Sequence, residues 1–167
     1  MELKNNYLVF GQQVSVDLFH SALPGHLYYP KRHTDDKDMF HGGCIFLDHA
    51  SGYIQVQYQV TFSANETIKA KLPYKCDEAN YGVCIQAYHT DNGVLTSKYF
   101  IDVLIENGQH ICFSGSGAAH HNGVAESGIQ TFIQMAFTMM IHSDMRSLEG
   151  TITADLWPTE IYHLAWI

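Results

Sequence analysis

Positive charge is scarce in this 167-residue sequence. Nine lysines and arginines stand against seventeen aspartates and glutamates, a net charge of −8. Between Lys98 and Arg146 there is neither lysine nor arginine. A basic surface is the usual footprint of nucleic-acid binding, so composition by itself argues against that class. Cysteine is sparse too: Cys44, Cys76, Cys84 and Cys112 include no C-x-x-C pair. That spacing argues against a zinc knuckle and a disulfide scaffold. Cys44, Cys84 and Cys112 sit in apolar company and read as small buried strand residues. No apolar run is long enough to span a bilayer, and Met1-Glu2-Leu3-Lys4-Asn5-Asn6 lacks the pattern of a secretory signal. The expectation is a soluble, intracellular protein with no membrane partner. Repeats and low-complexity tracts are absent. So is the lysine-containing P-loop signature, which leaves Gly115-Ser116-Gly117 without a phosphate-cradle motif.

What is present suits one globular domain: 46% hydrophobic and 16% charged residues over 167 positions. Val14, Val16 and Leu18 alternate with Ser15 and Asp17 through Val14–His20, a strand pattern. Cys44–Leu47 is a continuous apolar run suited to a buried strand, and Ala50-Ser51-Gly52 turns into an alternating Tyr53–Val60. Ser63-Ala64-Asn65-Glu66 matches a capping box and predicts a helix ending near Pro73. A strand over Val83–His89 follows. A helix over Ser97–Glu106 stops at Asn107-Gly108, and His110–Phe113 is a short strand. Lys31–Asp38 and Ser114–Ala119 read as loops. Helices are expected over Asn122–Ile141 and from Ala154 onward. Strands first, then alternating helix and strand, predict an α/β domain whose mixed sheet begins with its antiparallel part.

Three carboxylates draw attention. Asp17 lies inside a β-run, where aspartate is disfavoured. Asp91 follows a strand, in His89-Thr90-Asp91-Asn92-Gly93. Glu126 lies near the start of the long helix. Carboxylates at strand middles and ends are costly near a core unless paired or metal-bound, and converging carboxylates are the ligand type that hard divalent cations take. Two of them also have a plainer reading: Asp91 as a turn residue, Glu126 as a first-turn helix acid. Asp48, at another strand end, competes with Asp17. The histidines read mainly as surface residues, with His20 and His121 open as neighbours of the site.

His89-Thr90-Asp91-Asn92-Gly93, followed by Asn122-Gly123-Val124-Ala125-Glu126, resembles the second and third acidic motifs of the retrovirus and retrotransposon integrase core. The interval, 126 − 91 = 35 positions, is one shorter than the family's usual one. Val14-Ser15-Val16-Asp17 resembles the family's first strand, and Asp48-His49-Ala50-Ser51-Gly52-Tyr53-Ile54 its second strand and turn. Phe113-Ser114-Gly115 through Glu126 is similar to copia-type elements.

The resemblance covers roughly residues 10 to 166 and implies an RNase H-like, five-stranded mixed sheet flanked by helices. Residues 10–167 would form the core, cut short in its last helix, with 1–9 as an N-terminal extension. It implies Asp17, Asp91 and Glu126 as catalytic residues and ligands of a two-metal Mg²⁺ or Mn²⁺ site. Asp48 would belong to the neighbouring strand and bind no metal. Asn92, His121, Asn122 and Gln130 would contact DNA. The activity implied is DNA integration in the nucleus, by a core that forms a homodimer.

The sequence departs from that family in one respect. Where integrase cores carry cations along the helix of the glutamate, this chain has Ser127 and Gln130. Each missing cation removes a phosphate contact, so DNA binding is expected to be weak. Lys69, Lys71, Lys75 and Lys98 are the alternative basic surface. The same helix, rich in Ile129, Phe132, Ile133, Met135, Phe137, Met139, Met140 and Ile141, is expected to be buried on most sides, including at a dimer interface. A non-catalytic interaction module of the same fold is the rival expectation.

Overall fold

Alternating residues build a sheet whose two faces carry different helices. In the computed structural model, residues 8–28, 39–90, 94–113, 119–146 and 153–165 are described, with backbone alone for 94 and 119–125. Strands β1 (Val14–Gly25), β2 (Phe40–Asp48) and β3 (Ile54–Gln59) are followed by helix α1 (Ala64–Asn80). Then come β4 (Ala87–Thr90), α2 (Lys98–Glu106), β5 (His110–Phe113), α3 (Ala119–Arg146) and α4 (Trp157–Leu164). Short 3-10 turns at Val94–Thr96 and Ala154–Leu156 lead into α2 and α4.

The sheet order is β3-β2-β1-β4-β5. The β1–β2 and β2–β3 pairs are antiparallel, and β1–β4 and β4–β5 are parallel. This is the mixed five-stranded α/β architecture expected from the sequence.

Even-numbered residues of β1 and β2 point to one face. There Val14, Val16, Cys44 and Phe46 pack with Ile68, Tyr74, Tyr88, Phe100 and Leu104 beneath α1 and α2. Phe46 and Tyr74 stack at 4.8 Å between ring centroids. Burying each large apolar side chain contributes about 1.5–3 kcal/mol, which makes this cluster the main source of stability. The other face carries a smaller core. Phe132 and Ala136 of α3 and Trp157 and Ile161 of α4 meet Phe19, Ile54, Val56 and Tyr58.

α4 is fastened to the far end of β1. The Trp157 indole N–H donates to the Leu23 carbonyl at 3.0 Å, and the His26 N–H donates to the Asp155 carbonyl at 2.8 Å. Gly25 is required at this contact, because a Cβ there would lie 2.2 Å from the Trp157 ring nitrogen.

Several sequence expectations need correction. α1 does not stop at Pro73 but runs through it. The proline sits on the exposed side, where the carbonyl it deprives of a donor can turn to water, while Tyr74 and Lys71 on the inner side stay buried. Only half of the capping box forms. Ser63 accepts from the Glu66 N–H, but the Glu66 carboxylate takes the N–H groups of Val60 and Thr61. Cys84 and Cys112 are exposed, because β4 starts only at Ala87 and β5 is an edge strand. Within the single chain α3 is buried along one side: Ile129, Phe132 and Ala136 are inside while Met135, Phe137 and Ile141 are exposed. The loops at Lys31–Asp38 and over 114–118 lie outside the described residues. Among the described residues, no helix is long and apolar enough to cross a membrane.

Candidate active site

The two faces of the sheet separate the two aspartates that competed for the first position. Asp48 pairs across the ladder with Val14 and so shares the α1 face. It is 1% exposed, and its carboxylate is occupied. One oxygen accepts the Gly11 N–H at 3.0 Å. The other accepts the Ser51 N–H at 2.8 Å and the Ser51 hydroxyl at 2.6 Å. Three donors to a carboxylate compensate its burial. Asp48 is therefore the structural bracket of the β2–β3 turn.

Asp17 projects from the opposite face, flanked along β1 by Ser15 and by Phe19, which joins the α3–α4 core. It is half-buried, and its Oδ1 accepts the N–H of Leu18 at 2.8 Å. α3 crosses this same face: a Cβ on Gly128 would sit 3.5 Å from Leu47 Cδ2, and Leu47 pairs with Ser15. Glu126, half a turn before Gly128, is exposed. Gln130, one turn after Glu126, is exposed as well.

Asp91 and Asn92 lie outside the described residues. β4 ends at Thr90, and its parallel register with β1 sets Val14 against Tyr88 and Ser15 against His89. The backbones of His121 and Asn122 belong to the first turn of α3. His20 does not approach Asp17. It is paired with Gly42 on the α1 side of the strand and stacks on Phe62 at 3.9 Å.

A polar layer the sequence did not reveal lies beside Asp17. Ser15 Oγ and His49 Nε2 are 2.7 Å apart, and His89, paired with Ser15, is only 7% exposed. Burial, with the neighbouring His89 ring, holds His49 below the ordinary histidine range, against an upward pull from Asp48. Strand alternation carried the signal for His89, since the residue next to Tyr88 must face the other layer.

Of the alternative basic surface, Lys69 and Lys98 are exposed and Lys75 is partly exposed, but Lys71 is withdrawn from it. Lys71 is 1% exposed and points inward to Gln109, and Lys75 is hydrogen-bonded to Asn107.

Among the described residues, no group of three or more histidine, cysteine, aspartate or glutamate side chains is placed to hold a metal ion. The described members of the expected triad, Asp17 and Glu126, offer carboxylate oxygens on one side of the sheet. That is the donor chemistry hard divalent cations take.

No protein-family model and no curated protein matches the chain. Solved structures do. The HTLV-2 integrase catalytic core domain in complex with magnesium, in its dimeric form, superposes with a TM-score of 0.60. The identity is 15%, over 96% of this chain and 88% of that one. The trimeric form of the same domain gives a TM-score of 0.58 at 16% identity, over 95% and 85% of the two chains. The simian T-cell lymphotropic virus intasome, in complex with PP2A regulatory subunit B56 gamma, gives 0.64 at 13% identity, over 99% of this chain and 50% of that one. Likeness at such low identity establishes the fold: the chain has the fold of retroviral integrase catalytic cores.

Proposed function

We propose that the chain is the catalytic core of a retroelement integrase, of copia type by its motifs, which cuts and joins DNA phosphodiesters. The observation that carries this reading is the placement of Asp17. It lies on the face that α3 crosses, two residues along β1 from Ser15, which pairs with His89 of β4. Glu126 enters from the early turns of α3. In this reading Asp17, Asp91 and Glu126 hold Mg²⁺ or Mn²⁺, which when bound activates the attacking oxygen and stabilises the leaving one. The carboxylates bind and orient. Water or a DNA 3′-hydroxyl forms the new P–O bond as the bond to the leaving 3′ oxygen breaks.

Asn92, His121, Asn122 and Gln130 are proposed to line the DNA path, in a protein that works in the nucleus. Self-association is part of the reading, supported by the dimeric and trimeric forms of the HTLV-2 core.

A second reading has its own observation. The exposed side of α3 is uncharged from Ser127 to Ser143, which suits a non-catalytic interaction module that has lost DNA affinity. One assay separates the two: Mn²⁺-dependent nicking and joining of a duplex oligonucleotide. The integrase reading expects activity that Asp17→Asn abolishes and Asp102→Asn, on exposed α2, leaves intact. Absence of any metal-dependent cleavage would favour the module.

A further inference from the structure

The last turn of α1 is charged against its own helix dipole. A helix C-terminus carries partial negative charge and favours a basic side chain. α1 has no basic residue in that turn and holds Asp77 and Glu78 there instead. Tyr81 follows as the C-cap, and Gly82, at a φ of 74°, turns the chain away. The Tyr81 ring is left 87% exposed.

The β2–β3 turn brings a second ring to the same place. Tyr53 is 43% exposed and stacks on the buried Tyr74 of α1, with 6.3 Å between ring centroids. Burial first, then Asp77, Glu78 and Tyr81, push its hydroxyl above the ordinary tyrosine range, which sets the four groups within one another's reach. Gln55, next on this face of β3, donates from Nε2 to the Asp77 carboxylate.

This surface holds acceptors that the chain itself does not use. Gln55 Oε1 and the Tyr74 hydroxyl are buried and make no hydrogen bond. Tyr74 is 0% exposed, and its hydroxyl lies near Glu78 and Asp48. Among the described residues, no lysine or arginine is paired with Asp77 or Glu78. Lys75 of the same helix turns to Asn107 instead.

That chemistry specifies the occupant. Carboxylates at a negative helix end repel phosphates and anionic headgroups, which excludes nucleic acid and membrane. Exposed rings beside unused acceptors call for a cation that only donates. Arginine is such a group: its planar guanidinium stacks on aromatic faces, forks onto carboxylates and has no acceptor.

We propose that Tyr53, Tyr81 and Asp77 form a docking site for an arginine-bearing segment of a partner protein, with the guanidinium against the tyrosine rings and bonded to the Asp77 carboxylate. The site lies with α1, on the sheet face opposite Asp17, and does not depend on the integrase reading.

The test is a fluorescence-anisotropy titration of the whole chain against a dye-labelled peptide of alternating arginine and glycine. Salt at about 150 mM screens diffuse attraction to an acidic protein. Binding is expected with a dissociation constant on the order of 100 µM, as a few such contacts allow. The lysine counterpart of the peptide should bind at least about threefold more weakly, because an ammonium neither stacks nor forks. Tyr81→Leu should weaken binding about two- to fivefold, while Tyr53→Phe, which keeps the ring, should not. Asp77→Asn leaves an oxygen for Gln55 Nε2 and should weaken binding about tenfold. Asp102→Asn removes the same charge from exposed α2 and should have less than about a twofold effect. Circular dichroism of each variant checks that it is folded, and Tyr81 is exposed enough to be replaced without loss of the core. No binding up to about 1 mM peptide, equal binding of the lysine peptide, indifference to Tyr81→Leu, or equal effects of Asp77→Asn and Asp102→Asn would each overturn the proposal. The measurement uses neither metal nor DNA, so its failure is distinct from failure of the integrase reading.

Discussion

Replacing Lys71 with methionine should remove a rise in stability between about pH 8 and pH 10. Lys71 is 1% exposed. Its ammonium donates to Gln109 Oε1 at 2.8 Å and lies 5.5 Å from the centre of the Tyr88 ring. Burial, and secondarily Lys75, pushes its pKa from 10.5 down to about 8. In that interval the unfolded chain keeps a proton that the native chain gives up, so stability rises with pH. The difference of about 2.5 pH units corresponds to about 3 kcal/mol, absent below pH 8 and complete near pH 10.5. Lys71→Met loses this pH-dependent part. It also leaves Gln109 Oε1 without its donor, a cost of about 1–3 kcal/mol that does not change with pH. Urea unfolding of both proteins from about pH 7 to pH 10 reads the difference, with an expected relative midpoint change of about 1–2 M. Tyrosines that titrate nearby are common to both proteins and drop out. A constant offset between the two curves would refute the reasoning.

Glu78, buried near Asp48 and Asp77, has its carboxyl held above the usual range by desolvation first and by those carboxylates next. A raised carboxyl contributes stability at low pH that is lost as pH rises through its folded value. Glu78→Gln should therefore raise Tm near pH 7.5, by about 2–4 °C per kcal/mol, with the gain vanishing toward pH 4 in a thermal-denaturation series. Gln130→Lys, one turn after Glu126, should tighten duplex DNA binding and steepen the log–log salt dependence by about one unit in a fluorescence-anisotropy titration. Unchanged slopes would mean that DNA does not pass this side of α3. Trp157→Phe removes the donor to Leu23 and part of the α3–α4 core. It should cost about 1–3 kcal/mol in a urea titration.

Much of the fold was legible because it rests on periodicity. Val14, Val16 and Leu18 against Ser15 and Asp17 announce both the first strand and its two faces. Ser97 and Asn107-Gly108 bracket α2 to within a residue. What alternation and caps do not encode is tertiary compensation. Pro73 looks like a helix end because its local cost is real, and only the burial of the residues around it carries the helix through. Val83–Gln86 reads as strand by composition, yet the ladder begins at Ala87, where β1 and β5 are available as partners. At the candidate site, Asp17 was legible as an aspartate out of place in a strand. Asp48 was separated from it by motif resemblance; in the structure it lies on the opposite sheet face and accepts three hydrogen bonds. The Ser15–His49 contact joins positions 34 apart and had no local signal.

The central claim is that the face bearing Asp17 binds a divalent cation and the face bearing Asp48 does not. Crossed thermal-shift measurements with Mn²⁺ test it directly. A cation present at about one hundred times its dissociation constant stabilises by about 2.7 kcal/mol, a rise of roughly 5–10 °C for a chain of this size. Asp48→Asn weakens the bracket around Gly11 and Ser51, so it should lower Tm in the absence of metal and keep the Mn²⁺-dependent rise. Asp17→Asn should leave the metal-free Tm nearly unchanged and abolish the rise, as should Asp91→Asn. A rise that survives Asp17→Asn and disappears with Asp48→Asn would contradict the account.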